Sequence, residues 1–344
     1  MGDHLLDIER LRVAFSTEAG IVQAVDDVSL TLDRGEVLAV VGESGSGKSV
    51  TAMTLLGLTR SPNTRFEGSA RLDGVELLDA PEEELRRVRG ARIALVPQDP
   101  MTALDPVYRI GDQIVEQIQA HEPLDRAEAL DRAVGGLERA GVGRARDRVR
   151  AFPHELSGGM RQRVMIAMAL SCSPSVLIAD EPTTALDVTI EAQILDELKR
   201  LRAETDAGII LITHDLGVVA DIADRIAVMY AGRVVEQGAL DEIFYAPLHP
   251  YTWGLIGSIA RIDGGPRRLP AIPGLPPSLA HAPAGCHFRP RCPHEFDRCT
   301  EVPALQARVD PGSGHCDRCW LDPSDKRRLR LVEGEIGLAT EGAT

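Results

Sequence analysis

The stretch GESGSGKS, residues 42–49, decides the fold of this chain. It matches the pattern G-x-x-x-x-G-K-[ST], in which glycines let successive backbone N–H groups surround the phosphates of a nucleotide. Lys48 would place a cation beside those phosphates, and the Ser49 hydroxyl would bind Mg²⁺. An apolar strand is predicted before this phosphate loop (36–42) and an apolar helix after it (48–58). This order predicts a phosphate site rather than a structural glycine turn.

Strands and helices alternate through the later part of the sequence. Strands are predicted at SVLIADEP (175–182) and GIILITHD (208–215), and helices at 190–204 and 216–225. Such alternation predicts an α/β core with a parallel sheet covered on both faces. We find no internal repeat and therefore expect one nucleotide domain in the chain rather than two.

The composition of the chain changes twice. Residues 110–150 are polar and rich in Arg, Glu and Ala, which predicts an inserted helical subdomain at about 100–165. Eight prolines between 264 and 293 leave little room for regular structure. We therefore expect a nucleotide-binding domain at 1–255 and a small, irregular, cysteine-bearing C-terminal region at 256–344.

Charge and hydropathy narrow the class of protein. The formal net charge of the 344 residues is −14, which argues against a nucleic-acid partner, and the basic run at 325–330 is interpreted as a solvated helix end. The apolar runs are far shorter than the roughly 20 residues of a membrane helix. The N-terminal segment lacks the pattern of a signal peptide. We therefore expect a cytosolic protein that reaches a membrane only by docking to proteins that span it.

Polar side chains follow three of the predicted strands. Asp180 ends one strand, where its carboxylate would lie near Mg²⁺, and Glu181 beside it would orient or deprotonate the attacking water. Gln98 and His214 follow two other strands, at the edge where a parallel sheet places its ligands. Gln98 would sense Mg²⁺ and water, and His214 would bind the γ-phosphate. Alone, the carboxylate pair could equally be a solvent-facing strand end, and Gln98 or His214 alone would more often be an ordinary strand-end residue.

A second candidate phosphate site lies in ELSGGMRQR, residues 155–163. Ser157, Gly158 and Gly159 precede a helix predicted at 160–170, and exposed N–H groups at a helix N-terminus favour an anion. A second anion site without its own lysine is sensible if a partner molecule supplies the lysine.

Taken together, these motifs resemble the ordered motif set of ATP-binding-cassette (ABC) ATPases. The matching positions are 42–49, Gln98, the signature segment LSGGM (156–160), 176–181, TALD (184–187) and His214. The resemblance covers about residues 5–245. It implies a phosphate-loop core with an antiparallel β subdomain, binding of ATP and Mg²⁺, and a head-to-tail dimer. In such a dimer, Ser157, Gly158 and Gly159 hold the γ-phosphate bound at the neighbour's phosphate loop.

The resemblance also assigns expected roles to single residues. The residues expected to contact nucleotide or Mg²⁺ are Gly42, Glu43, Ser44, Gly45, Ser46, Gly47, Lys48, Ser49, Val50, Gln98 and Asp180. Phe15 would stack on adenine, with a core aromatic of an edge strand as the alternative. Asp187 would communicate between the two ATP sites of the dimer.

Stretches near the C-terminus are similar to one branch of this family. PLHPYTWGLIGSI (247–259) and the segment from IPGLPPSL to GCHFRPRCP (272–293) resemble dipeptide/oligopeptide import ATPases, and GGMRQRVMIAMAL (158–170) resembles their D-type subunits. This implies a heterodimer with an F-type ATPase at the cytoplasmic face, beneath two integral membrane permeases that receive peptides from an extracytoplasmic binding protein. Self-pairing is the second possibility. We expect residues 99–113 to contact the permeases.

Three alternative functions remain open at this point. Nickel importer ATPases share much of the core, so nickel or another small solute could be the cargo. A soluble cassette ATPase that remodels a ribosome or DNA is a second alternative, although such proteins usually carry two cassettes or a long coiled-coil insert. An iron–sulfur sensor with a regulatory cassette is the third.

Five of the six cysteines lie between 286 and 319. A cytosolic chain disfavours disulfides, which leaves metal binding or free thiols. The positions that match the family pattern are Cys286, Cys292, Cys299 and Cys319, and in several relatives these four hold a [4Fe–4S] cluster. Zinc is the alternative metal, and Cys316 could compete with Cys319 as the fourth ligand. The neighbouring histidines, which we expect at the surface, are His287, His294 and His315.

Overall fold

The computed structural model of the chain describes residues 4–18, 20–99, 103–182, 188–258, 272–307 and 314–330. Asp187 and residues 100–102 of the predicted docking segment lie outside these described residues. Within them, the strands form a four-stranded sheet and a seven-stranded sheet.

The elements are numbered here in chain order. The strands are β1 (Leu6–Thr17), β2 (Gly20–Leu32), β3 (Val37–Val41), β4 (Thr64–Leu72), β5 (Val75–Glu76), β6 (Ile93–Val96), β7 (Val176–Asp180), β8 (Gly208–Thr213), β9 (Arg225–Tyr230), β10 (Arg233–Ala239) and β11 (Cys316–Asp317). The helices are α1 (Lys48–Leu55), α2 (Glu82–Val88), α3 (Ile110–His121), α4 (Arg126–Arg139), α5 (Ala145–Arg148), α6 (Gly158–Ala169), α7 (Val188–Thr205), α8 (Leu216–Ile222), α9 (Leu240–Tyr245) and α10 (Pro250–Gly257).

The larger sheet carries the phosphate loop. Its strand order is β11-β10-β9-β3-β8-β7-β6, and the strands from β9 to β6 pair in parallel. Every residue of β3, β7 and β8 is buried, as the uninterrupted apolar runs predict for a sheet covered on both faces. The carboxyl ends of β3, β6, β7 and β8 therefore meet at one edge, where the candidate site residues follow.

The smaller sheet is antiparallel, with the order β2-β1-β4-β5. Burial is partial along β1 and β4 because only one face of these strands covers a core. That core is shared with the larger sheet, through Leu38 and Val40 of β3. The chain turns between β4 and β5 at Asp73 and Gly74.

The inserted segment is helical, as its composition predicts. Helices α3 and α4 pack on α6 through apolar residues such as Ile114, Ile118 and Leu137. Asp125 and Glu128 form a capping box that fixes the start of α4. The insert thereby joins the signature segment at the start of α6 to the rest of the core.

The C-terminal region is irregular but firmly attached. Three short 3-10 helices occur at Leu279–His281, Arg289–Arg291 and Asp297–Thr300. Strand β11 extends the larger sheet by pairing antiparallel with β10. A bond from buried Arg318 to Asp27 ties this region to the smaller sheet, with 2.7 Å between Nη2 and Oδ2.

Two surface expectations for this region are wrong. His315 is buried and lies with Nε2 2.8 Å from Oε1 of fully buried Glu236, and His287 is buried with Nδ1 2.8 Å from the carbonyl oxygen of Ala231. Lys326, in the basic run interpreted as a solvated helix end, is 1% exposed and bonds Asp317. The run is therefore only partly solvated, because one of its cations satisfies a buried carboxylate.

Candidate functional site

The phosphate loop adopts the backbone that its glycines permit. Gly42 and Gly47 have φ values of 152° and 101°, in the left-handed region. A Cβ atom on Gly47 would lie 2.6 Å from the carbonyl oxygen of Ala24, so a side chain there would clash. Helix α1 begins at Lys48 without a side-chain cap. Its first N–H groups are therefore suited to an anionic ligand.

Lys48 is folded against the phosphate loop. Its Nζ donates hydrogen bonds to the carbonyl oxygens of Gly42 at 2.7 Å and Glu43 at 3.1 Å. Burial lowers the pKa of Lys48, while the carboxylates of Glu181, Asp180 and Glu43 oppose that shift. Phosphate oxygens would give this ammonium stronger, charged acceptors than the two carbonyls.

Asp180 ends β7 with an unsatisfied carboxylate oxygen. The residue is 4% exposed, and its Oδ1 has no hydrogen-bond partner among the described residues. Burial raises the pKa of Asp180 and the neighbouring Glu181 adds to the effect, while a hydrogen bond with Ser49 and the charge of Lys48 oppose it. An orphaned carboxylate oxygen beside a hydroxyl is a donor set that suits Mg²⁺, so these residues fit the predicted ion.

Glu181 is the point where three predicted site residues meet. Its Oε2 accepts a hydrogen bond from Nε2 of Gln98 at 2.7 Å, and its Oε1 lies 3.3 Å from Nδ1 of His214. These side chains follow β7, β6 and β8, whose parallel pairing brings their ends together. The Glu181 side chain is 13% exposed and that of His214 is 64% exposed. This arrangement can hold a carboxylate base beside water at the sheet edge.

The signature segment caps a helix. Ser157 is the N-cap of α6, and its hydroxyl accepts a weak hydrogen bond from the backbone N–H of Met160 at 3.4 Å. Helix α6 begins at Gly158 rather than at the predicted residue 160, because the serine cap starts the helix earlier. Ser157 and Gly158 are exposed, whereas Gly159 is buried. The exposed helix start suits an anion brought by another molecule.

Phe15 lies on β1 and is half-buried against the core of the smaller sheet. Strand β1 lies between β2 and β4, so the alternative interpretation is wrong in placing Phe15 on an edge strand, although the side chain does pack against the core. Its role in stacking on adenine stays a prediction.

Sequence reasoning missed the residues that hold Glu43. Arg291 binds the Glu43 carboxylate with both guanidinium arms, and the Tyr251 hydroxyl accepts a hydrogen bond from the Glu43 backbone N–H at 3.0 Å. No sequence signal pointed to these contacts, because Arg291 is 248 positions away from Glu43.

The four cysteines of the family pattern line one cavity. Cys286, Cys292, Cys299 and Cys319 surround a free volume of about 10 Å³, about that of one water molecule. Cys316 lies in β11, paired with Gln237, and is not among the lining residues. Burial raises the pKa of both Cys292 and Cys319 to about 12.

The cavity does not have the geometry of a metal site. Within the described ranges, no group of three or more His, Cys, Asp or Glu side chains is arranged to hold a metal ion. The predicted iron–sulfur cluster, and zinc as its alternative, are therefore not supported by the structure. No described helix is both long and apolar enough to cross a membrane.

Comparison with known families gives two matches. The family described as "ABC transporter" matches residues 25–184. The family described as "Oligopeptide/dipeptide transporter, C-terminal region" matches residues 235–299.

Several characterised proteins are similar along nearly the whole chain. The oligopeptide transport ATP-binding protein OppD of Salmonella typhimurium is 50% identical over 308 residues, covering 90% of this chain and 91% of that protein. OppD of Bacillus subtilis is 52% identical over 333 residues, covering 96% and 92%. The dipeptide transport ATP-binding protein DppD of Bacillus subtilis is 46% identical over 332 residues, covering 96% and 98%.

Solved structures of ATP-binding cassettes share the fold. The dimeric cassette MJ0796 aligns with a TM-score of 0.62 at 28% identity, covering 68% of this chain and 98% of that one. A dimeric post-hydrolysis state of MJ0796, bound to ADP and Pi, aligns with the same TM-score at 27% identity and the same coverage. The predicted phosphate-loop fold is thereby confirmed.

Proposed function

Because the chain belongs to the family of ABC transporter ATPases, we propose that it hydrolyses ATP to drive the uptake of di- or oligopeptides across the cytoplasmic membrane. The grouping of Gln98, Glu181 and His214 beside the phosphate loop carries the hydrolytic part of the proposal. Its similarity to oligopeptide and dipeptide transport proteins, which includes the C-terminal region, supports the peptide part.

In the proposed mechanism, the phosphate loop binds ATP and Glu181 activates water. Backbone N–H groups at the start of α1 and the Lys48 ammonium bind the β- and γ-phosphates. Glu181 accepts a proton from the attacking water while Gln98 and His214 hold its carboxylate in place. Ser49, Asp180 and Gln98 would hold Mg²⁺, which would neutralise charge on the phosphates when bound.

The signature segment acts on the ATP of a partner subunit. Its exposed helix start and the dimeric state of the related cassette MJ0796 support this arrangement. We propose a heterodimer with an F-type ATPase, in which Ser157, Gly158 and Gly159 bind the partner's γ-phosphate. Such a dimer would close on ATP and open after hydrolysis, with Asp187 communicating between the sites.

A cleft between the core and the helical insert is the proposed docking site for the permeases. It has a volume of about 280 Å³ and is lined by Leu58, Pro97, Leu104 and Met168, among others. Val107 and Tyr108, inside the predicted docking segment 99–113, are 71% and 58% exposed. Exposed apolar residues beside a cleft favour contact with another protein. Gln98 directly follows Pro97 of the cleft lining and would couple Mg²⁺ occupancy to the permeases.

The proposal places this chain at the cytoplasmic face of the membrane, beneath two permeases that receive peptide from an extracytoplasmic binding protein. We also propose a division into a nucleotide-binding domain at 1–255, including the helical subdomain at about 100–165, and a C-terminal region at 256–344.

A [4Fe–4S] cluster on Cys286, Cys292, Cys299 and Cys319 is a separate part of the proposal, with zinc as the alternative. The match of these four positions to the family pattern is its support. Within the described residues, however, no group of three or more His, Cys, Asp or Glu side chains is arranged to hold an ion, and the cavity that the four cysteines share has room for about one water molecule. Anaerobically purified protein with a visible absorbance that bleaches on reduction, and with iron and sulfide in equal amounts, would establish the cluster. Colourless, iron-free protein would exclude it, and zinc in that protein would favour the alternative.

Uptake in living cells tests the function. Cells that lack this chain would be complemented with the wild type, Lys48→Ala or Glu181→Gln, and the uptake of a labelled tripeptide and of Ni²⁺ would be compared. We expect only the wild type to restore peptide uptake, with nickel uptake unchanged throughout. Restored nickel uptake without peptide uptake would identify a different cargo.

A further inference from the structure

The C-terminal region reaches the phosphate loop through one ion pair. Arg291 donates from Nη1 to Oε2 of Glu43 at 2.7 Å and from Nη2 to Oε1 at 3.1 Å. The Arg291 side chain is 6% exposed and that of Glu43 is 27% exposed. A two-armed pair of this kind fixes geometry as well as charge.

Three hydrogen bonds to residues other than Glu43 fix the position of the Arg291 guanidinium group. Its Nε donates to the carbonyl oxygen of Pro273 at 2.8 Å, and Nη2 donates to that of Ile272 at 3.3 Å. Nη1 also donates to the Tyr230 hydroxyl at 3.2 Å. With the two bonds to Glu43, these contacts engage all the donor groups of the side chain. Arg291 is therefore a fixed point to which the loop is attached.

Hydrogen bonds fix both the backbone and the side chain of Glu43. Its backbone N–H donates to the hydroxyl of buried Tyr251, its carbonyl oxygen accepts from Lys48, and its carboxylate binds Arg291. Tyr251 and Arg291 both follow β10 in the chain, in the part that matches the C-terminal family. That part of the chain thus fixes the first turn of the loop.

The negative charge of Glu43 links its contact with Arg291 to nucleotide binding. Glu43 is the second residue of the phosphate loop, and an uncompensated carboxylate there would repel a bound triphosphate. We propose that Arg291 is a positioning residue of the nucleotide site, which holds the first turn of the phosphate loop and cancels the Glu43 charge beside ATP. The inference rests on the ATPase part of the proposed function and is independent of the transported solute.

Arg318 offers a matched control. It lies in the same C-terminal region, its side chain is also 6% exposed, and it binds Asp27 at 2.7 Å, with Asp27 30% exposed. Asp27 belongs to β2 and not to the phosphate loop. Arg318→Gln should therefore lower the melting temperature as Arg291→Gln does, without the same effect on ATP.

The test measures the Kd for MgATP and the turnover at saturating MgATP with the full-length chain. We expect Arg291→Gln to weaken MgATP binding about tenfold, as for the loss of a charged hydrogen-bonded pair, with turnover changed by no more than about twofold. Arg318→Gln should bind MgATP like the wild type. Arg291→Lys, which keeps the charge but not the fork, should lie between the wild type and Arg291→Gln.

A second substitution separates charge from folding. Glu43→Gln removes the repelling carboxylate, so the double variant Arg291→Gln/Glu43→Gln should bind MgATP within about threefold of the wild type. Equal Kd values for Arg291→Gln and Arg318→Gln, or no recovery in the double variant, would overturn the inference. If Arg291→Gln does not fold, Arg291→Lys decides: wild-type affinity in that variant would overturn it. A wild-type chain that binds no MgATP would instead overturn the ATPase function.

Discussion

Glu181 has a φ of 47°, in the left-handed region that side chains rarely adopt. Such a conformation costs of order 1–3 kcal/mol and persists where the surroundings fix it. Here the backbone N–H of Glu181 donates to the carbonyl oxygen of Ile212 at 2.8 Å, while Gln98 and His214 hold the carboxylate. The strain therefore aims the proposed base at the sheet edge.

Glu181→Gln tests the role of this carboxylate. The amide keeps the size of the side chain but cannot accept a proton, so we expect hydrolysis to slow at least about a hundredfold. Binding of MgATP should persist, because the phosphate loop is unchanged. Glu83→Gln, at a side chain that is 80% exposed, is the control. Near-normal turnover in Glu181→Gln would contradict the mechanism.

Asp26 ties the smaller sheet to β10. Its Oδ2 lies 2.6 Å from Nη2 of Arg233 and its Oδ1 lies 3.3 Å from Nε of Arg12. Burial alone would raise the pKa of Asp26, but Arg233 and Arg12 together outweigh burial and lower it. A carboxyl group with a lowered folded-state pKa stabilises the protein above its unfolded pKa and loses that contribution as the pH falls through the folded pKa.

We therefore expect Asp26→Asn to reduce the free energy of unfolding by about 1–2 kcal/mol at pH 7. The gap between the two proteins should narrow as the pH falls below the ordinary carboxyl pKa of about 4 and towards the lowered folded-state pKa of Asp26. Denaturant unfolding at several pH values measures the difference in the free energy of unfolding between the two proteins. Asp131→Asn, at an exposed residue, is the control. A gap that stays constant down to about pH 2 would show that charge is not the cause.

At the scale of single residues, the sequence was enough to predict the site side chains that directly follow strands. It was not enough to predict contacts between residues that are far apart in the chain. Gln98, Asp180, Glu181 and His214 could be placed together because parallel strand ends share an edge. Arg291 could not, because its contact with Glu43 depends on the path of an irregular segment. The left-handed backbone conformation of Glu181 also could not be predicted from residue types.

Among the elements, α6 carries the signature segment at its exposed start. Inside the protein, Nε2 of Gln162 on this helix donates to the carbonyl oxygen of Pro182 at 2.7 Å, one residue after Glu181. Helix α6 thus contacts the segment that follows Glu181 of the same chain, while its exposed N-terminus can contact another molecule. This geometry agrees with a signature segment that serves a partner's ATP.

Ser157→Ala should leave the Kd of the isolated chain for MgATP unchanged, because in the proposed dimer each nucleotide would bind at Lys48 of one chain and at the signature segment of the other. Loss of the weak cap should cost at most about 1 kcal/mol of stability. Lys48→Ala is the comparison and should abolish tight binding. If Ser157→Ala weakened binding to the isolated monomer as much as Lys48→Ala, the signature segment would serve its own nucleotide.

The type of each element could be predicted from apolar runs, but the residues at which the elements begin and end were predicted less accurately. The buried strands β3, β7 and β8 appear where continuous apolar segments predict them. Errors arose where polar residues turned inward, as with His315 and Lys326, whose partners Glu236 and Asp317 lie on β10 and β11. Buried pairs of this kind look like surface residues in a sequence, since only the fold reveals the partner.

For the whole molecule, the C-terminal region is part of the ATPase rather than an appendage. It adds β11 to the larger sheet, binds Asp27 of the smaller sheet through Arg318, and holds the phosphate loop through Arg291. The composition of this region predicted irregular structure but not these attachments. A change in the C-terminal region can therefore reach the nucleotide site directly.

The most direct test of the central claim is to identify what this ATPase binds in its native cell. The tagged Glu181→Gln protein would be purified from gently solubilised membranes with ATP, and its partners identified by mass spectrometry. Val107→Asp/Tyr108→Asp in the same background is the control and should lose the permeases while keeping ATP binding. We expect two multi-spanning permeases, a second cassette ATPase and a peptide-binding protein. Recovery without any membrane protein, self-paired or on ribosomes, would contradict the importer.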